Sequence, residues 1–229
     1  MNSRGLLDQL LKSGQDLLQK QSGNKSGSSA GGGLNSLLTG AAGGALGAGA
    51  LGLLLGNKKA RKFGGKALTY GGLAALGVIA YKAYGNWQAQ QANAPQGEPQ
   101  TLDRLPAPQV ELHSQAILKA LVAAAKADGH VDARERQLIE GEFSKLTGDA
   151  ELQGWLEAEL NKPLDPADVS RAATTPEMAA EMYLASVLIV DEEHFMERAY
   201  LDELARQLKL DPALKTELET QVKLQQNAG

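Results

Sequence analysis

The chain has 229 residues, no cysteine and a net charge of −4. Without cysteine there are no disulfides, thiolate metal sites or cysteine nucleophiles. The charge is unevenly divided: residues 1–66 carry +7, residues 67–109 balance, and residues 110–229 carry −11. An acidic C-terminal half lacks the basic patch that nucleic acid requires, whereas a basic head suits an anionic lipid surface.

Residues 3–21 place Leu6, Leu7, Leu10, Leu11, Leu17 and Leu18 at helical spacing, with Lys12 and Lys20 among the polar positions. This pattern fits a short helix lying in a membrane interface, or a frayed helix that touches nothing stably. Residues 22–33 are Ser/Gly-rich and read as a flexible linker. Residues 34–56 carry no charge and exceed the roughly 20 residues needed to cross a bilayer. Gly40, Gly44, Ala48, Gly52 and Gly56 recur at every fourth position. Such a stripe of small residues lets helices approach closely in lipid, which makes self-association an expectation. Lys58, Lys59, Arg61 and Lys62 follow directly and suit lipid headgroups on the cytoplasmic side.

A second uncharged run, 67–81, is shorter, and Lys82, Tyr84 and Trp87 follow it. Residues 34–87 therefore read as a membrane region, with 67–84 either a second span or an interfacial helix. One span puts the C-terminal domain in the cytoplasm, and a hairpin puts it in the periplasm. Residues 88–109 are Pro/Gln-rich and read as a tether with no core-forming pattern.

From residue 110 every segment reads helical, and none alternates as a strand does. About seven short helices are expected: 111–127, 133–146, 150–160, one from Asp165-Pro166, one from Thr175-Pro176 to about Val190, 193–208, and one from Asp211-Pro212. An N-cap residue followed by Pro is a strong start signal. Phe143, Trp155, Tyr183, Phe195 and Tyr200 fall at helical spacing and read as core.

Two helix junctions resemble each other. The first reads AKADGHVDARER (125–136) and the second IVDEEHFMER (189–198). Asp132 with Glu135 fits a capping box, Gly129 suits a left-handed position, and Asp191 reads as a cap in the same way. The same acids also fit a cation site, in which Asp128, Asp132 and Glu135 meet Asp191, Glu193 and Glu197. Carboxylates suit calcium or magnesium, and His130 and His194 would add nitrogen ligands for zinc or manganese. The spacing is not that of an EF-hand.

The stretches ILKALVAAAKADGHVDARERQLI and ASVLIVDEEHFMERAYLDELARQLKL resemble the two acidic turns of the TerB-like (tellurite-resistance) helical domain. Together with the Gly-rich apolar segment and NKKARK, they resemble the YebE-like bacterial inner-membrane proteins of unknown function, over roughly residues 34–225. The resemblance implies an all-α domain, an association with stress or toxic-oxyanion resistance, and a divalent cation at Asp128, Asp132, Glu135, Asp191 and Glu197. Glu192 stands where the first turn has Gly129, which argues for one shared site, or none, rather than two symmetric loops.

No nucleophile elbow, P-loop or HExxH motif is present, and His113, His130 and His194 are the chain's three histidines. The expectation is therefore an all-α, non-catalytic protein of the bacterial inner membrane. Its glycine-rich N-terminal membrane region would precede a TerB-like bundle. The alternative is a purely structural scaffold that self-associates through the glycine stripe and docks a partner protein.

Overall fold

Proline and its polar neighbours set the helix starts. The computed structural model describes residues 3–5, 7, 73–91, 97–128, 149–190 and 194–227. Its helices are α1 (Leu73–Gln90), α2 (Ala107–Ala124), α3 (Ala150–Asn161), α4 (Pro166–Ser170), α5 (Pro176–Ile189), α6 (Phe195–Gln207) and α7 (Pro212–Asn227). Among the described residues there is no strand. Asp149 caps α3 by accepting from Glu151 and Leu152, and Asp165 caps α4 through Ala167. Thr175 caps α5 through the Met178 amide at 3.1 Å, and Asp211 accepts from Ala213 at 2.8 Å. Each cap satisfies amides that the first turn leaves without partners.

Helix α5 is the axis of the domain. Its residues Met178 to Val187 are all buried, as expected of a helix that is apolar all round. It packs against α2, α1, α7 and α6. On α2, Ile117, Leu118 and Val122 are buried, and on α3 Leu152, Leu156 and Leu160 form the expected stripe.

Helix α6 departs from expectation at its start. Its buried stripe is Glu197, Tyr200, Leu201, Leu204 and Ala205, with spacings of three and four. Phe195 is off that stripe and 83% exposed, and Met196 is 53% exposed, so Phe195 is not a core residue. Trp155 is only partly buried, while Tyr183 and Tyr200 are core. The helix ends in a Schellman motif, with the Leu210 amide bonded to the Ala205 carbonyl and Lys209 to Arg206. Lys209 holds the left-handed position at φ 54°.

Residues 73–109 differ most from their sequence reading. Leu76, Ile79, Ala80, Ala83 and Tyr84 make a buried stripe on α1, and α1 packs on α7 and α5. The described part of the second apolar run thus finds its burial inside the domain. Among the described residues no helix is long and apolar enough to cross a membrane; residues 34–56 lie outside them. The stretch read as a tether also belongs partly to the fold, because Thr101 and Leu102 are buried at 1% and 5% exposure. The expected helix 133–146 lies outside the described residues.

Close approach explains Gly77, in the second turn of α1. A Cβ there would lie 2.7 Å from Asp103 Oδ1 and 2.9 Å from the Asp103 amide nitrogen. Gly85, two turns on, faces open space. The same substitution should therefore have opposite signs. Gly85→Ala should raise stability by roughly 0.5–1 kcal/mol by reducing the entropy of the unfolded chain. Gly77→Ala should lower it by about 1–3 kcal/mol by pushing the 97–106 segment off the helix. Paired urea melts would check both signs.

Candidate functional site

A glutamate at the centre of an apolar helix needs partners, since an unpaired buried charge is very costly. Glu181 lies on α5 with 0% of its side chain exposed. Its Oε1 accepts the Leu102 amide at 2.5 Å, and its Oε2 lies 2.5 Å from His113 Nδ1. His113, on α2, is 5% exposed in its side chain. One carboxylate therefore joins α2, α5 and the segment entering α2, deep in the core.

Two further polar nodes fasten the outer helices. Lys119 of α2 reaches Asp168 of α4, with Nζ 2.8 Å from Oδ2, and also bonds the Asp168 carbonyl at 2.9 Å. Arg171 meets the other Asp168 oxygen at 2.6 Å. Lys126 donates to the Glu159 carbonyl at 3.0 Å and to Lys162 O, compensating the C-terminal end of α3. A shallow cleft runs beside these groups, lined by Val122, Lys126, Glu159, Lys162 and Asp165 among others. Between α5, α6 and α7, the Tyr183 hydroxyl donates to Glu219 at 2.6 Å, and Lys215 bridges Glu219 and Asp202 at 2.9 and 3.2 Å.

The acidic junctions are partly described. Asp128 is exposed in the turn that follows α2. His194 is the N-cap residue of α6 and makes no side-chain cap hydrogen bond. The helix thus begins after His194, and the expected cap Asp191 lies outside the described residues. Glu197, in the first turn of α6, is buried at 7% exposure, and its Oε1 is 3.9 Å from His194 Nδ1. Among the described residues no three His, Asp or Glu side chains converge as a metal site would require. Of the expected ligands among the described residues, His194 and Glu197 are brought together. Asp132, Glu135, Asp191, His130 and Glu193 lie outside the described residues, as do the stripe Gly40, Gly44, Ala48, Gly52 and Gly56 and the basic residues Lys58, Lys59, Arg61 and Lys62.

The Glu181–His113 pair escaped sequence reasoning. Its signal was a single acid inside the unbroken apolar run AAEMYLASV, where helical periodicity offers no polar face.

A family model described as a protein of unknown function, DUF533, matches residues 25–222. The chain belongs to the DUF533 family. The match takes in the uncharged run 34–56 as well as the helical domain. An "Uncharacterized protein in ampR 5'region" of Yersinia enterocolitica is 32% identical over 114 residues, covering 50% of this chain and 82% of that protein. No solved structure matches.

The buried pair and the outer node make separate predictions. Glu181→Ala should cost about 3–5 kcal/mol, because it strips the Leu102 amide and His113 of their buried partner. Combining it with His113→Leu should cost clearly less than the sum of the two single changes, and a double-mutant cycle by urea denaturation measures that coupling.

Lys119, followed by Arg171, holds the Asp168 carboxyl down from its ordinary 3.8 to about 2. A carboxyl depressed in the fold stabilises it above the unfolded value and loses that contribution as pH falls through the folded one. Asp168→Asn should therefore flatten the stability profile between pH 4 and pH 2. The loss at neutral pH should be no more than about 1 kcal/mol, because the pair is only partly shielded from solvent.

Proposed function

We propose that this protein is a non-catalytic, stress-related DUF533 module anchored in the bacterial inner membrane, with a TerB-like helical domain that takes up a divalent cation at its acidic junctions. The observation that carries the reading is the joining of two unlike parts. An uncharged 34–56 run, small at every fourth residue and followed at once by Lys58, Lys59, Arg61 and Lys62, is continuous with an acidic helical domain in one family match. Length and composition support a span. The cation reading draws on Asp128 at one junction and on the buried Glu197 beside His194 at the other. Asp132, Glu135 and Asp191 would complete an oxygen-rich set for calcium, magnesium or manganese, and His130 would favour zinc or manganese.

A second reading has its own support. Phe195 and Met196 stand exposed beside the second junction, and large apolar side chains in such a position suit docking of a partner protein. In that scaffold reading, Gly44, Ala48 and Gly52 drive self-association in the bilayer.

The test is a thermal melt of the full chain in lipid nanodiscs after chelation, titrated with calcium, magnesium, manganese and zinc. One ion should raise the melting temperature saturably, stabilising by about 2.7 kcal/mol at a hundred times its Kd. Asp128→Asn should abolish the rise without lowering the ion-free melting temperature. No response to any ion would leave the acids as helix caps and favour the scaffold. Release of the protein from membranes by alkaline carbonate would overturn the anchor.

A further inference from the structure

Apolar side chains gather at one end of the helical domain. Among the described residues, the large apolar side chains left exposed are Val78, Leu112, Phe195, Met196 and Leu224. Polar contacts fix how the helices bearing all but Leu112 run. Asn86 of α1 bonds Glu217 of α7 at 2.7 Å, and Trp87, the next residue, bonds the earlier Asp211 at 3.1 Å. Helices α1 and α7 are therefore antiparallel. Val78 precedes Asn86 by eight residues and Leu224 follows Glu217 by seven, so both lie roughly 10–12 Å along their helices toward the same end. Helix α6 runs back along α7. Residues 208–211 join the two, and Lys215 of α7 reaches Asp202 of α6 at 3.2 Å. Phe195 and Met196, in the first turn of α6, are thereby directed to that end as well.

The chain from residue 72 enters the domain at this same end, because α1 begins there at Leu73. Charge also distinguishes it. Residues 110–229 carry −11, yet α1 has no acidic residue, and neither has the last part of α7, residues 220–227. Lys82 and Lys223 are exposed on these two stretches. Asp103, beside Gly77, is engaged by Thr101 at 2.6 Å and by Arg104 at 3.7 Å. We propose that this end of the domain lies on the bilayer, with Val78, Phe195, Met196 and Leu224 in the boundary between headgroups and acyl chains, and Lys82 and Lys223 beside anionic headgroups. The apolar side chains stand on three separate helices with exposed cations among them. A bilayer interface accepts such scattered tips and rewards the cations, whereas a folded partner wants one contiguous apolar patch. The inference rests on the membrane anchoring proposed above. It adds that the domain sits on the membrane in one orientation instead of hanging from it. That orientation turns the start of α6, with His194 and Glu197, toward the headgroups.

The chain has no cysteine, so Phe195→Cys, Leu224→Cys and Ala89→Cys each carry a single environment-sensitive fluorophore on the full-length protein. Ala89 lies in the last turn of α1, at the other end, and all three side chains are exposed, so the fold is retained. Each protein is reconstituted into vesicles of phosphatidylcholine, alone or with one-third phosphatidylglycerol, containing a nitroxide-labelled lipid as quencher. The expected result is a blue-shifted, lipid-quenched label at 195 and 224 and a water-like label at 89. With phosphatidylglycerol present, Lys82→Gln should lower the ratio of quenched to unquenched label about 5-fold, the weight of one lysine at an anionic surface. An unchanged ratio would overturn the headgroup contact. Water-like labels at 195 and 224 on a protein that floats with the vesicles and resists alkaline carbonate would overturn the proposal and leave the anchor standing. A blue shift without lipid quenching would assign this end to a partner protein or a second copy, and would overturn the proposal equally. Quenched labels on a protein that carbonate releases would uphold the contact and overturn the anchor. Failure to float with either vesicle would overturn both.

Discussion

Burial of a single carboxylate constrains the centre of this fold. Helix α5 has no polar face to offer water, so Glu181 can be tolerated only where two donors meet it, and the structure supplies Leu102 N–H and His113 Nδ1. Both donors come from outside α5. Their positions fix where the chain must run before it enters α2, and at what rotation α2 must lie against α5. Apolar contact alone specifies such things weakly, since many helix rotations bury similar areas. A buried pair that loses its partner at any other registry specifies them sharply.

That constraint reaches outward to α1. The segment 97–106, held at Leu102 by Glu181, lies so close to α1 that only glycine fits at position 77. Arg104 covers the Tyr81 ring at 3.9 Å. From the other side, Trp87 bonds Asp211 at 3.1 Å and Asn86 bonds Glu217 at 2.7 Å. Helix α1 is thereby clasped between the segment that follows it and the last helix of the chain. Whatever precedes residue 73 is joined to a helix that is part of the core rather than to a loose tether.

The acidic junctions have a different physical character from the core pair. Glu197 is buried at the start of α6 beside an exposed imidazole, and Phe195 and Met196 project outward next to it. The proposed cation binding and the alternative of partner docking both draw on this small surface. The DUF533 match spans both the N-terminal region and this domain.

The sequence by itself determined the helical class, the absence of strands among the described residues, and most helix starts. Those properties are local: Asp165-Pro166, Thr175-Pro176 and Asp211-Pro212 act within one turn, and periodicity at Leu152, Leu156 and Leu160 needs no knowledge of the partner. The tertiary structure decided everything that depends on what an apolar face meets. A stripe such as Leu76, Ile79, Ala80, Ala83 and Tyr84 reads the same whether its partner is lipid or another helix, and only α5 and α7 reveal which it is. Phe195 matched a helical period but lay off the stripe set by Tyr200, Leu201 and Leu204. Glu181, His113 and Leu102 are far apart in sequence, and no spacing rule joins them. Periodicity records how a helix is faced, whereas the partner of that face is a non-local choice made by packing.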